Sequence, residues 1–167
     1  MFKQVASMDA TKLLKSQHAE VKALFGKFDH AKTAAQKQAL FDQIADALAG
    51  HCTIEEKIFY PSVYIGPLKD ALNEAVEEHL GAKRVIADLL KMKPTDEQFE
   101  AKMAVLKEEI EHHVKEEESE LFPGVQKHFG AEELSAMGDQ MKALFDQLQK
   151  GEPRKSVPAE TKAAASL

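Results

Sequence analysis

Two stretches of this 167-residue sequence share one pattern: "HCTIEEKIFYP", His51 to Pro61, and "HVKEEESELFP", His113 to Pro123. Each reads His-x-x-x-Glu-Glu and closes on an aromatic residue and a proline. His51 and Glu55 are four apart, as are His113 and Glu117, so on a helix each pair shares one face. Two further histidines repeat with them: His18 precedes His51 by 33 residues, and His79 precedes His113 by 34. Imidazole together with carboxylate is a donor set for iron, manganese or zinc. Six donors around one octahedral ion would leave no position for chemistry. If Glu55 and Glu117 each bridge two ions, the protein supplies about eight bonds, and about four positions remain for a bridging oxygen and outside ligands. A centre with free positions binds small molecules.

Positioning these groups requires helices, and the apolar spacing is helical almost throughout. Leu14, His18, Val21, Phe25 and Phe28 step by three or four behind a plausible N-cap, Asp9. Thr33 with Gln36 forms a capping-box pattern ahead of Leu40, Ile44, Ala47, His51, Glu55 and Ile58, which run to Pro61. Gly66-Pro67 marks a turn. The third stripe, Leu72, Val76, His79, Ile86 and Leu90, ends at Lys93-Pro94, and Thr95 with Gln98 offers another capping box. The fourth, Phe99, Met103, Leu106, Ile110, His113, Glu117 and Leu121, stops at Pro123-Gly124. Residues 131–148 form a shorter amphipathic piece with Leu134, Met137, Met141 and Leu144. The expected fold is all-α: an up-down-up-down four-helix bundle with an additional C-terminal helix outside it. Residues 1–149 would be one domain. Residues 150–167 lack an apolar stripe and are expected to be a mobile tail.

The His and Glu residues occupy the apolar stripes, so the bundle buries them at one level. An unpartnered buried polar group costs several kcal/mol. A metal centre accounts for that burial better than a set of core histidines satisfied by hydrogen bonds. Composition excludes other classes. A net charge of −6 argues against a general nucleic-acid binder. No apolar run approaches the ~18 residues of a membrane span. The start, "MFKQVASMDATKLLK", has no signal-like apolar region, and the single cysteine, Cys52, fits a reducing compartment. The expected location is cytoplasmic.

The order H…HxxxE…H…HxxxE, with "EEKIFYP" and "EESELFP" closing the two pairs, resembles the hemerythrin HHE cation-binding domain over Thr11 to Leu148. The resemblance implies a bundle around a non-haem di-iron centre with oxo or hydroxo and carboxylate bridges. Its cofactor would be two Fe ions, with Mn or Zn less expected. By position match the ligands would be His18, His51, Glu55, His79, His113 and Glu117. Oxygen-carrying hemerythrins place another His four residues after the third-helix one, where this chain has Lys83. Their last carboxylate is an Asp in a longer spacing. The four-His, two-Glu set is similar to bacterial hemerythrin-like proteins linked to nitric oxide, peroxide and iron-centre repair. The missing ligand either opens a coordination site or is replaced by Lys83, Tyr60 or Tyr64.

Glu56 and Glu118 repeat one residue off the ligand face, which suits hydrogen bonding to ligands from outside or plain solvation. His112 also precedes a Glu by four, but it lies off the stripe and reads as a surface residue. With Glu109 it completes one Glu-x-x-His phrase; ferritin-like sites need two. His30 and His128 suit helix ends, and Cys52 reads as a packing residue. No acid–base dyad or nucleophile stands apart from the donor set, so any chemistry belongs to the metal. The expected function is a di-iron protein that binds, senses or reduces O2, NO or H2O2, with an unidentified electron donor. An iron-handling or iron-centre repair protein is the alternative, and a metal-free helical interaction module the bland one.

Overall fold

The computed structural model describes residues 7–167; residues 1–6 of the expected domain lie outside it. The helices are α1 (Ala10–His30), α2 (Ala34–Ile54), α3 (Tyr60–Ser62), α4 (Lys69–Leu89), α5 (Phe99–Glu116), α6 (Phe122–His128) and α7 (Ala131–Leu148). Asp9 caps α1 by accepting from Lys12 N–H, and Thr33 with Gln36 closes a capping box on α2. The capping box expected at Thr95 and Gln98 does not form. Instead Asp96 folds back to accept from Lys93 N–H at 2.8 Å, and α5 starts without a side-chain cap. Among the described residues there is no strand.

Four rods make the bundle: α1, α2 continued by α3, α4, and α5 continued by α6. Both continuations pass through a π-helical turn, Glu55–Phe59 and Glu117–Leu121. Tyr60 N–H bonds to the Glu55 carbonyl and Phe122 N–H to the Glu117 carbonyl, each five residues back. The prolines expected to stop these helices therefore sit inside them. A proline lacks an N–H and crowds the carbonyl four residues back, and a widened turn just ahead of Pro61 and Pro123 accommodates that defect.

The core is two apolar clusters with a polar belt between them. One cluster joins Leu14, Ile54, Phe59, Leu72, Val76, Leu121, Phe122 and Val125. The other joins Val21, Phe25, Phe41, Ile44, Ile86, Phe99, Met103 and Leu106. On every rod the change from one cluster to the other falls at a histidine: His18, His51, His79 or His113. Helix α7 closes one side of the bundle, packing on α1 and α2. Two glycines permit the approach: a Cβ on Gly138 would overlap the Met8 carbonyl oxygen, and one on Gly50 would strike Phe145 and Gln149.

Residues 150–167, expected to be a tail, are instead laid against the bundle. Pro153–Glu160 forms a 3-10 helix whose Val157 is buried in the second cluster. Arg154 pairs with Asp46 of α2 at 2.6 Å, and Ala164, Ala165 and Leu167 pack on the first cluster. One buried valine, a few ion pairs and three partly buried apolar residues near the end hold the segment, without the regular spacing of a stripe.

A candidate metal centre

The six residues singled out by type and spacing converge on the belt. All are buried; Glu55 is fully so. Two groups of donor atoms come together: His18, His51, Glu55 and Glu117 in one, and Glu55, His79 and His113 in the other. Each carboxylate faces both groups. Glu55 Oε1 lies 3.2 Å from His51 Nε2 and its Oε2 lies 3.1 Å from His79 Nε2. Glu117 Oε2 lies 3.1 Å from His18 Nε2 and its Oε1 lies 3.5 Å from His113 Nε2.

These approaches are close without being hydrogen bonds. His18 Nε2, His51 Nε2, Glu55 Oε1 and Glu117 Oε2 are all buried and have no hydrogen-bond partner. Leaving such atoms dry costs about 1–3 kcal/mol each, more where charge is involved. Metal bonds of about 2.1 Å at right angles put neighbouring donors about 3 Å apart. The observed spacings match that, so the donor set fits metal ions, and the carboxylates suit bridging between two.

Every imidazole is oriented from outside the belt. His18 Nδ1 donates to Glu118 at 2.8 Å, and His79 Nδ1 donates to Glu56 at 2.9 Å. His51 Nδ1 donates to Gln17 Oε1 at 2.7 Å, and His113 Nδ1 donates to Glu78. A proton held on Nδ1 turns the Nε2 lone pair inward. Glu56 and Glu118 thus take the outer role open to them from the spacing. Gln17 and Glu78 were not anticipated, although each directly precedes a ligand-type histidine, His18 or His79, in the repeat.

The candidates for the missing ligand separate. Tyr60 lies in the centre: its O–H donates to Glu117 Oε1 at 2.6 Å, and its oxygen is 3.1 Å from Glu55 Oε2 and 3.3 Å from His79 Nε2. Tyr64 faces away, donating to Asn73 at 3.1 Å. Lys83 is buried but pairs with Glu56 and Glu160. Burial alone would lower its pKa, but the hydrogen bond and charge of Glu56 outweigh burial, so the ammonium is held and has no lone pair to offer. Lys83 Nζ is thus engaged by Glu56 and Glu160 rather than by the donor groups of the centre. His112 is a surface residue paired with Glu116.

The repeat is asymmetric at one place. Tyr60 stacks on His79 with ring centroids 5.5 Å apart; Phe122, its counterpart before the second proline, stacks on His18 at 5.9 Å. One side of the centre has a hydroxyl and the other has none. Against the histidine rings lies a cavity of about 20 Å³ with apolar walls, lined by Val21, Leu48, Ile110 and Val114 and reached also by Cys52. That is room for one water-sized molecule. A surface groove between α1 and α5 shares His18, Val21, Ile110 and Val114 with it.

Electrostatics agree with a site built for cations. Burial works against charging His113, yet the Glu117 charge and the hydrogen bonds with Glu55 and Glu78 push its pKa to about 10. For Glu55, burial works toward protonation, but the charge on His51 and bonds from the histidines hold its carboxyl well below the usual range. For Tyr60, burial and the charges of Glu117 and Glu55 all raise the pKa, keeping it a neutral phenol.

Known proteins resemble this chain over most of its length. A family model described as the hemerythrin HHE cation binding domain matches residues 9–125. An uncharacterized protein of Mycobacterium tuberculosis is 28% identical over 148 residues, covering 87% of this chain and 90% of that protein. A DNA nickase of Nostoc sp. is 24% identical over 142 residues, and the chain spans 40% of that protein's length. The crystal structure of a hemerythrin HHE cation binding domain-containing protein from Mycobacterium kansasii aligns with a TM-score of 0.76. It is 24% identical and 95% of each chain is covered, a likeness of fold.

Proposed function

The chain belongs to the hemerythrin HHE cation-binding domain family, and on that premise we propose that it is a non-haem di-iron protein that binds or reduces a small ligand, O2, NO or H2O2. The observation that carries the reading is the set of buried, unpartnered donor atoms in two groups that share Glu55. His18 and His51 would hold one ion, His79 and His113 the other, and Glu55 and Glu117 would bridge them. Tyr60 would place a hydroxyl beside the ion on the His79 side, and Phe122 leaves the His18 side without one. Bound iron supplies coordination and electrons to the small ligand.

The protein's own groups do the rest. The four outer partners fix the imidazoles before metal arrives, which reduces reorganisation on loading. The Tyr60 phenol keeps its proton on the hydroxyl and donates it toward Glu117, a hydrogen-bond source in an otherwise dry centre. The apolar cavity excludes bulk water and suits an uncharged diatomic, so O2 and NO fit it better than peroxide. Among the described residues no helix is long and apolar enough to cross a membrane, and Cys52 is unpaired; a reducing, cytoplasmic setting belongs to the same proposal. The acidic balance of the chain, −6, gives no reason to carry DNA nicking over to it.

Anaerobic iron loading followed by desalting tests the proposal. About two irons per chain are expected, with His51→Ala and Glu117→Ala each losing iron while remaining helical by circular dichroism. NO titration of the ferrous protein should then saturate at a defined stoichiometry. A wild-type chain that keeps no iron sinks the reading.

A further inference from the structure

A relay of contacts runs from the C-terminal segment to His79. Glu160 lies 3.0 Å from Lys83 Nζ. The Lys83 ammonium donates to both oxygens of Glu56, at 2.9 and 2.8 Å. Glu56 Oε1 accepts from His79 Nδ1 at 2.9 Å. The Lys83 and Glu56 side chains are only 8% and 10% exposed, so their pairing escapes the screening that weakens surface ion pairs. The segment bearing Glu160 is itself fixed at three other points. Val157 is buried, Arg154 pairs with Asp46 of α2, and Arg84 of α4 donates to the Thr161 carbonyl at 3.0 Å.

Lys83 therefore does something other than fill the place of a ligand. A glutamate has three rotatable bonds, and a single hydrogen bond to His79 would leave its carboxylate free to swing to water. Lys83 grips both oxygens and removes that freedom. Among the four outer partners of the histidines, Glu56 is the one held in this way by an ammonium, and the family match, residues 9–125, ends before the segment that supplies Glu160.

We propose that Lys83 is a positioning residue of the metal centre and that Pro153–Glu160 belongs to the site: through Lys83 and Glu56 this segment sets the orientation of the His79 ring. The functional consequence rests on the di-iron reading; the geometric claim stands without it. If Lys83 were only a staple between helices, removing it would loosen the whole belt evenly.

Three chains decide between these: wild type, Lys83→Met, and Glu160→Gln, the last altering an exposed carboxylate that the fold does not depend on. In the metal-free proteins the Nδ1 proton signals of the four ring-bonded histidines are followed by NMR. In Lys83→Met the His79 signal is expected to broaden or vanish into exchange with water, while those of His18, His51 and His113 persist. Glu160→Gln should act in the same direction and less. After iron loading, Lys83→Met should show a roughly 10- to 100-fold loss of metal affinity against a competing chelator. Equal broadening of all four signals, or an unchanged His79 signal in both variants, overturns the proposal. Should wild type hold no iron, the di-iron reading falls alone, because the metal-free signals still decide the role of Lys83.

Discussion

At the residue scale, Tyr60 and Phe122 differ by one oxygen atom at equivalent places in a doubled site. That oxygen touches Glu55, Glu117 and His79. Its removal in Tyr60→Phe takes away a buried donor and should lower the stability of the metal-free chain by about 1–3 kcal/mol, measured by urea denaturation. In the iron-loaded form the same substitution should raise the number of NO molecules bound per chain, since neither side would then carry a hydroxyl. A stoichiometry unchanged from wild type would show that Tyr60 does not occupy a coordination position. The histidines make a separate prediction. Despite burial, His18 and His113 have raised pKa values because carboxylates surround them, and that of His79 is raised by Cys52 first and by its hydrogen bonds to Glu55 and Glu56 next. A raised value stabilises the fold fully below the unfolded value of about 6.5 and ceases to do so as pH climbs through the folded value. The metal-free chain should therefore melt at lower temperature as pH goes from about 6.5 toward 10. Metal must displace these protons, so loading should release protons and tighten as pH rises, which calorimetry in buffers of different ionisation enthalpy would detect.

At the element scale, the π-helical turns decide what faces the belt. In a regular α-helix a residue five positions on is turned well away from its starting face, so helical periodicity places Tyr60 at the rim. The wider turn after Glu55 carries it inward. The ligand-type histidines and glutamates are legible in the sequence because none lies beyond the first residue of a widened turn, Glu55 or Glu117, so ordinary spacing still holds for them. Tyr60 was only a candidate because it follows one. Gln17 and Glu78 are not legible in the sequence because periodicity assigns a face and says nothing of which neighbour a polar side chain meets. Helix α7 was visible as a stripe, but its seat was not: that depends on Gly138 lying against the backbone near Met8. Gly138→Ala should cost about 1–3 kcal/mol by overpacking, read as a lowered thermal midpoint, with any bound iron retained because α7 supplies no donor. A midpoint equal to that of wild type would mean that α7 shifts freely.

At the scale of the whole molecule, the bundle is two helical hairpins of the same design, α1 with α2 and α4 with α5, joined by residues 63–68 between α3 and α4. Neither hairpin owns a complete site. The His18 and His51 group takes Glu117 from the second hairpin, and the His79 and His113 group takes Glu55 from the first. The belt also interrupts the apolar core at mid-height, where a stack of hydrophobic layers would otherwise be continuous. Loaded with metal, that weak plane would become a clasp: it would tie together parts of the chain some sixty residues apart, as a disulfide does, but with a strength that follows metal supply and acidity. How firmly the two halves hold together would then record how much metal the chain has met.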